Sequence, residues 1–397
     1  MTQNPNQNIR IGDVEVGPGA EPYIIAEMSG NHNGSLETAL DIVRMAAAQG
    51  AHAIKLQTYT ADTITIDVRT DEFKISGGHE LWGDRYLYDL YTEAHTPWEW
   101  HEPIFALAKE LGIHAFSSPF DPTAVDYLEN LDVPAYKIAS SEIVDLPLIR
   151  YAASKGKPII ISTGMASLGE INAAVEAARS TGNEQIIVLA CTANYPADPS
   201  ESNLRGIPVM RDALGTLIGY SDHTMGIGAA VASVALGAVL VEKHVTLNRE
   251  DGGVDSAFSS EPEELNQLVT QTKIAWQCLG EPRIGARAQE KEGLRFRRSL
   301  YVVEDVKAGD VVTAQNVRSI RPANGLPTDT FDTLAGRTFT RDAAKGTPMY
   351  PILQLPHDDV IHDKYSQYWP APPQAPSLPS GSLPRGRHRK SLFHFAT

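Results

Sequence analysis

Cysteine, long apolar runs and positive charge are all scarce in this chain, and each shortage excludes a class of protein. Two cysteines in 397 residues, Cys191 and Cys278, make no disulfide framework. The longest apolar stretch, 226–241, is rich in alanine and glycine, too short and too small in side chain to span a bilayer, and it runs straight into Glu242 and Lys243. The opening "MTQNPNQNIR" lacks the apolar core of a secretory signal, so the cytoplasm is the expected compartment and no membrane partner is expected. A net charge of −15 excludes a general nucleic-acid surface, so any anionic ligand must be met by specific residues in a local cationic pocket. A Gly-rich phosphate turn after the first strand, the usual sign of a doubly wound dinucleotide fold, is also missing.

What is present is a regular alternation. Eight short β-rich runs, "PYIIAEM", "HAIKLQTY", "HAFSSPF", "AYKIASSE", "PIIISTGM", "QIIVLACT", "TLIGYSDH" and "VLVEKHVT", alternate with segments that carry apolar residues at helical spacing and often finish at glycine. Eight such units in about 260 residues predict an α/β (β/α)8 TIM barrel, with a doubly wound sheet as the alternative. The expected organisation is an N-terminal segment 1–20, a barrel over 21–285, a small mostly β domain over 286–355, and a disordered Pro-rich tail over 356–397.

Polar residues collect where the strands end: Glu27; Lys55 and Gln57; Ser117 and Ser118; Lys137 and Ser140; Ser162 and Thr163; Thr192; Ser221 and His223; Glu242 and His244. A barrel brings those ends to one mouth, where enzymes of this architecture place their chemistry. In "AHAIKLQTY", Lys55 and Gln57 share one face of the strand and Ile54 and Leu56 the other. Lys55 and Lys137 thus enter one pocket from different strands and, with strand-end hydroxyls, suit a phosphate or carboxylate. The alternative is that they snorkel at the rim or pair with Glu27 and Glu142. His223 and His244 close consecutive strands, about 4.8 Å apart if neighbours. Their imidazoles either share a divalent metal with positions left open for substrate, or are ordinary core histidines.

The motifs "IIAEMSGNHNG", "AIKLQTY", "YKIASSE", "ISTGM", "YSDHT" and "EKHVT", in this order, resemble the sialic acid synthase family, whose members condense phosphoenolpyruvate with an acylamino sugar. The stretch "LWGDRYLYDLYTEAHTPWEW" is similar to the pseudaminic acid synthase branch, and "RRSLYVVEDVKAGDVVT" through "AAKGTPMYPILQ" to the antifreeze-like SAF domain. The resemblance implies a phosphoenolpyruvate site of Lys55, Gln57, Ser118, Lys137, Ser140, Ser162 and Ser221. It implies metal ligation by His223 and His244, with Mn²⁺ first and Co²⁺ or Mg²⁺ as alternatives. Glu27 matches a catalytic-site glutamate, Glu142 one proposed for proton transfer, Tyr195 a substrate-side tyrosine, and Asp255 an aspartate that holds sugar hydroxyls. Arg321, in "RPANG", matches an arginine that reaches the sugar from the partner's SAF domain in a domain-swapped homodimer. One departure stands out: "CTANYP" places Ala193 in the family's asparagine slot and Asn194 one position later. The implied reaction releases phosphate by carbon–oxygen cleavage, with a neuraminate or legionaminate synthase, or a Schiff-base aldolase using one of the lysines, as alternatives. Trp82, Tyr86, Tyr88 and Trp98 are the aromatics expected to face the sugar.

Overall fold

The computed structural model describes residues 8–75 and 82–349. The chain divides into two compact units, with the break between Glu281 and Pro282. In the first unit a hairpin of β1 (Ile9–Ile11) and β2 (Val14–Val16) precedes eight parallel strands. These are β3 (Tyr23–Glu27), β4 (Ala53–Thr58), β5 (His114–Pro119), β6 (Tyr136–Ile138), β7 (Ile159–Ser162), β8 (Ile186–Cys191), β9 (Leu217–Asp222) and β10 (Leu240–His244). They close into a barrel in chain order, β10 returning to β3, with helices in the connections. The eight predicted runs are the eight barrel strands.

The strand period of two divides the side chains. Ile54 and Leu56 of β4 join Ile24, Ala26 and Val241 in the apolar layer beneath the helices, while Lys55 and Gln57 take the other face. The hairpin packs Ile9, Ile11 and Val16 into the core beside Tyr23, and Asp13 Oδ1 lies 2.9 Å from His114 Nε2 at the start of β5. The end opposite the strand carboxyl termini is therefore filled.

Several helices begin with a side-chain cap directly after a loop at the carboxyl mouth. Ser35 Oγ accepts from Thr38 N ahead of the helix Leu36–Ala48, Asp121 caps Pro122–Asn130 with proline at its first position, and Ser167 and Glu170 form a reciprocal box before Leu168–Arg179. Capping fixes where each loop ends, and so limits its freedom over the mouth. The apolar run 226–241 is divided between the helix Gly228–Ala235 and the start of β10. No helix among the described residues is long and apolar enough to cross a membrane.

In the second unit β11 (Ser299–Val302) and β12 (Val317–Ile320) pair antiparallel over a separate core that includes Leu300, Val302, Val317, Leu326 and Phe339. The loop "RPANGL" folds back on β11: Ser299 Oγ donates to the Pro322 carbonyl and accepts from Gly325 N. The Pro-rich extension expected from residue 356 lies outside the described residues.

Gly325 sits so close to β11 that a Cβ there would stand 2.0 Å from the Leu300 carbonyl oxygen. Gly325→Ala must push backbone from backbone, and we expect it to destabilise the second unit by roughly 1–3 kcal/mol in urea unfolding.

Candidate functional site

Parallel register sets the site. His244 stands beside Glu27, Glu27 beside Lys55, Gln57 beside Ser118, and Glu242 beside Ser221. Four charges, Glu27, Lys55, Lys137 and Glu242, meet inside the mouth, each side chain no more than 6% exposed. Lys55 Nζ lies 2.6 Å from Glu27 Oε2 and 3.8 Å from Glu242 Oε2, and donates to Ser118 Oγ at 3.2 Å. Lys137 Nζ lies 3.5 Å from Glu242 Oε1, which also accepts from Ser221 Oγ at 3.0 Å. Gln57 Nε2 donates to Glu27 Oε1 and Ser29 Oγ.

Burial opposes every one of these charges, and their neighbours decide each outcome. Against burial, the Glu242 and Glu27 carboxylates hold Lys55 above the ordinary lysine pKa. For Lys137 burial wins, with repulsion from Lys55 helping, and its pKa falls. Burial raises Glu27 despite Lys55, whereas the pull of Lys137 and Lys55 outweighs burial at Glu242 and lowers it. Glu27 is thus the carboxylate of the set most easily protonated.

At the same mouth opens a cavity of about 570 Å³. Gln57, Ser140, Glu142, Tyr195, His244 and Asp255 line its polar side. Ser140 Oγ lies 3.6 Å from Cys191 Sγ, and Gly164 passes so near that a Cβ there would meet Ser140 Cβ at 2.4 Å. Ser162 ends β7 with its Oγ buried and without a hydrogen-bond partner. Glu142 Oε2 is likewise buried and unpartnered, and burial pushes its carboxyl up to about 7. Burial also raises Asp255.

The two histidines come together, their ring centroids 5.3 Å apart, with Tyr195 centred 4.3 Å from His223 and 6.0 Å from His244. His223 Nδ1 donates to the Thr192 carbonyl at 2.8 Å, so in the neutral ring the lone pair falls on Nε2; against burial, Cys191, whose Sγ lies 3.9 Å from Nδ1, raises the ring's pKa. His244 Nδ1 is buried without a hydrogen bond, 3.9 Å from Asp255 Oδ2. Burial, with His223, Lys55, Lys243 and Lys137 around it, holds His244 well below the usual imidazole pKa and hence neutral. Two close imidazoles, one with an orphaned buried nitrogen, fit a divalent cation with few protein ligands. Among the described residues no group of three or more His, Cys, Asp or Glu is arranged to hold a metal.

All the predicted site residues except Arg321 belong to the barrel unit; Arg321 is exposed in the second unit, at the start of the loop that folds back on β11. Ala193 lines the cavity, whereas Asn194 is exposed and is not among its lining residues. Of the four expected aromatics only Trp82 reaches the cavity, where its Nε1 donates to the Val254 carbonyl. Tyr86 stacks under Arg69, Tyr88 donates to Asp62, and Trp98 packs on Tyr127. Ile64, Ile75, Leu87, Leu90, Tyr91, Tyr59 and Phe120 supply the apolar wall instead. Glu242 was visible only as a strand-end polar residue; its spacing of two from His244 was the signal for a shared inner face.

Residues 42–283 match the NeuB family and residues 297–351 the SAF domain. The chain is 40% identical over 324 residues to a pseudaminic acid synthase of Campylobacter jejuni, covering 82% of this chain and 94% of that protein. It is 38% identical over 330 residues to a pseudaminic acid synthase of Helicobacter pylori, covering 83% and 96%. The crystal structure of an N-acetylneuraminic acid (sialic acid) synthetase from Leptospira borgpetersenii, in complex with citrate, shares the fold with a TM-score of 0.66 at 32% identity, covering 74% of this chain and 96% of that one. By these matches, and by a closed eight-stranded barrel that brings the family's motifs to one mouth, the chain belongs to the NeuB family of sialic acid synthases.

Proposed function

We propose that the protein is a pseudaminic acid synthase, condensing phosphoenolpyruvate with 2,4-diacetamido-2,4,6-trideoxy-altrose to give a nonulosonic acid and inorganic phosphate. The observation that carries the reading is the meeting, at one barrel mouth, of two buried lysines paired with glutamates and a cavity that strand-end residues such as Gln57, Ser140 and His244 line on one side and an apolar wall on the other. Lys55 and Lys137, with Ser118, Ser140, Ser162, Ser221 and Gln57, hold the donor's carboxylate and phosphate. Preorganised charge of this kind acts more strongly in a dry mouth than in water. His223 and His244 would hold a divalent metal, Mn²⁺ first, which supplies Lewis-acid polarisation of the sugar aldehyde. Tyr195 and Asp255 position the open-chain sugar, whose aldehyde carbon receives the donor's methylene carbon. Water then adds at the former enol carbon, and phosphate leaves by cleavage of the carbon–oxygen bond.

Proton movement falls to Glu142 in this scheme. Glu27 is committed to Lys55 and Gln57 within the buried charge group, whereas Glu142 lines the cavity with an unpartnered oxygen and a pKa of about 7, suited to giving and taking a proton near neutrality. The apolar wall of Ile75, Trp82, Leu87, Leu90 and Tyr91 supports a 6-deoxy acceptor, whose methyl group replaces a hydroxyl. Around the mouth, in the connections after β4, β6, β7 and β9, Ile66, Val144, Met165, Leu168 and Met225 are exposed. That apolar rim supports a cap by the SAF domain of a second copy, carrying Arg321, in a domain-swapped homodimer. A cytoplasmic location fits a small phosphorylated donor.

Metal dependence is the first test. Chelation should abolish turnover and Mn²⁺ restore it, and His223→Ala and His244→Ala should each be folded and inactive; full activity of a metal-free preparation overturns the metal role. Borohydride with pyruvate should leave Lys55 and Lys137 unmodified by intact mass, since an adduct would favour an aldolase. The altrose acceptor should exceed N-acetylmannosamine by more than about tenfold in kcat/KM, near 1.4 kcal/mol; the reverse preference would move the protein to the neuraminate branch.

Glu142 also links stability to pH. Its folded pKa of about 7 lies above the ordinary 4.5, so between those values the native state holds a proton that the unfolded chain has released. Stability therefore falls as pH rises through that window. Glu142→Gln should remove up to roughly 3 kcal/mol of that fall, at about 1.4 kcal/mol per pH unit, read from urea unfolding at pH 4.5 and 8. The same variant should lose the limb of the pH–rate profile near 7.

A further inference from the structure

Behind the two histidines lies an ion pair that the proposed reaction does not use. Asp222 and Lys243 are direct register partners across β9 and β10. By the strand period, Ser221 and His223 share the inner face with Glu242 and His244, which turns Asp222 and Lys243 outward into the layer beneath the helices. Lys243 Nζ donates to Asp222 Oδ2 at 2.9 Å and to the Thr224 carbonyl at 2.7 Å. Asp222 Oδ1 accepts from Thr224 N at 2.9 Å and from Thr224 Oγ1 at 2.8 Å. Each of the three residues is at most 2% exposed.

These four bonds join the residue before His223, the residue after it, and the residue before His244. Stability alone does not call for them. Burying two ions costs several kcal/mol each, and apolar side chains of similar volume would hold the strands together as well or better. Hydrogen-bonded charge supplies direction: it closes the segment 222–224 into a tight turn and fixes that turn against β10. The His223 ring is held from its other side by the Thr192 carbonyl, and its backbone carbonyl accepts from Ala197 N. The imidazole is thereby located at both its ring and its backbone.

We propose that Asp222, Lys243 and Thr224 form a positioning device that sets the separation and facing of the His223 and His244 imidazoles for one shared divalent cation. The proposal rests on the reading of those histidines as metal ligands. The three residues touch neither substrate nor cation; they act through the backbone on either side of the rings. Outer groups that orient metal ligands typically govern affinity by about 10- to 100-fold.

The test uses the full chain freed of metal, with Mn²⁺ binding followed by calorimetry and phosphoenolpyruvate binding measured separately. The double variant Asp222→Asn/Lys243→Met removes both charges together and so strands neither. It should fold, bind phosphoenolpyruvate as the parent does, and bind Mn²⁺ at least about tenfold more weakly. A folded double variant with the parent's Mn²⁺ affinity overturns the proposal. Thr224→Val removes one donor to Asp222 without touching a charge, and should weaken Mn²⁺ binding several-fold, with Thr224→Ser restoring it. Should the double variant fail to fold, unchanged affinity in Thr224→Val overturns the proposal alone. His244→Ala separates the two levels: if it binds Mn²⁺ as the parent does, the histidine reading fails and the positioning role with it.

Discussion

Four buried charges at the barrel mouth, two lysines against two glutamates, are the constraint around which the rest of the barrel is arranged. None can remain charged there alone, because an ion removed from water without a partner costs far more than a fold of this size has in reserve. Lys55 therefore needs Glu27 on the neighbouring strand, and Lys137 needs Glu242 from across the barrel. A one-residue slip in any of these strands would turn its charge into the apolar layer and its isoleucine or valine into the mouth. Register is thus fixed from both faces, by apolar burial outside and by charge pairing inside.

The same neutrality shapes how a strongly acidic chain can hold an anion. Under the proposed function the field that matters is local: the lysine ammonium groups sit in low dielectric with their carboxylates already placed, so an arriving carboxylate or phosphate would meet oriented donors and little reorganisation. It also adds negative charge beside Glu27 and Glu242. Glu27, raised by burial, can relieve that excess by taking up a proton, whereas Glu242, lowered by both lysines and by Ser221, stays ionised and keeps Lys137 in place. The two glutamates are chemically alike and differently committed.

Most of this framework was legible in the sequence because it obeys short periods. Alternation of two marked the strands and placed Lys55 with Gln57, and glycine with helical spacing marked the connections. What could not be read was pairing across the barrel: Lys137 and Glu242 lie on β6 and β10, and nothing in either segment alone says that their side chains converge. Three of the four aromatics expected to face the sugar lie away from the cavity for a related reason. Tyr86 and Tyr88 are separated by only one residue and fall on the sides of their segment engaged by Arg69 and Asp62, while Leu87, Leu90, Tyr91 and Ala94 repeat at helical spacing and turn one stripe to the cavity. Composition drew attention to rings; the 3.6-residue period would have selected the wall.

The two halves of the cavity come from different parts of the chain. Strand ends and the turns beside them supply the charged and hydroxyl-bearing floor, and the long connection after β4 supplies much of the apolar wall. Strand-end groups are locked by register, so an altered side chain there disturbs its neighbours' pairing as well as the ligand. The wall is coupled to the floor more loosely, through contacts such as Trp82 with the Val254 carbonyl and with the Tyr195 ring. Substituting Leu87, Leu90 or Ile75 changes shape and polarity without leaving a buried charge unpaired. A barrel built this way can vary its wall while keeping its paired charges, since the two are held by forces of different kinds: packing on one side, paired charge on the other.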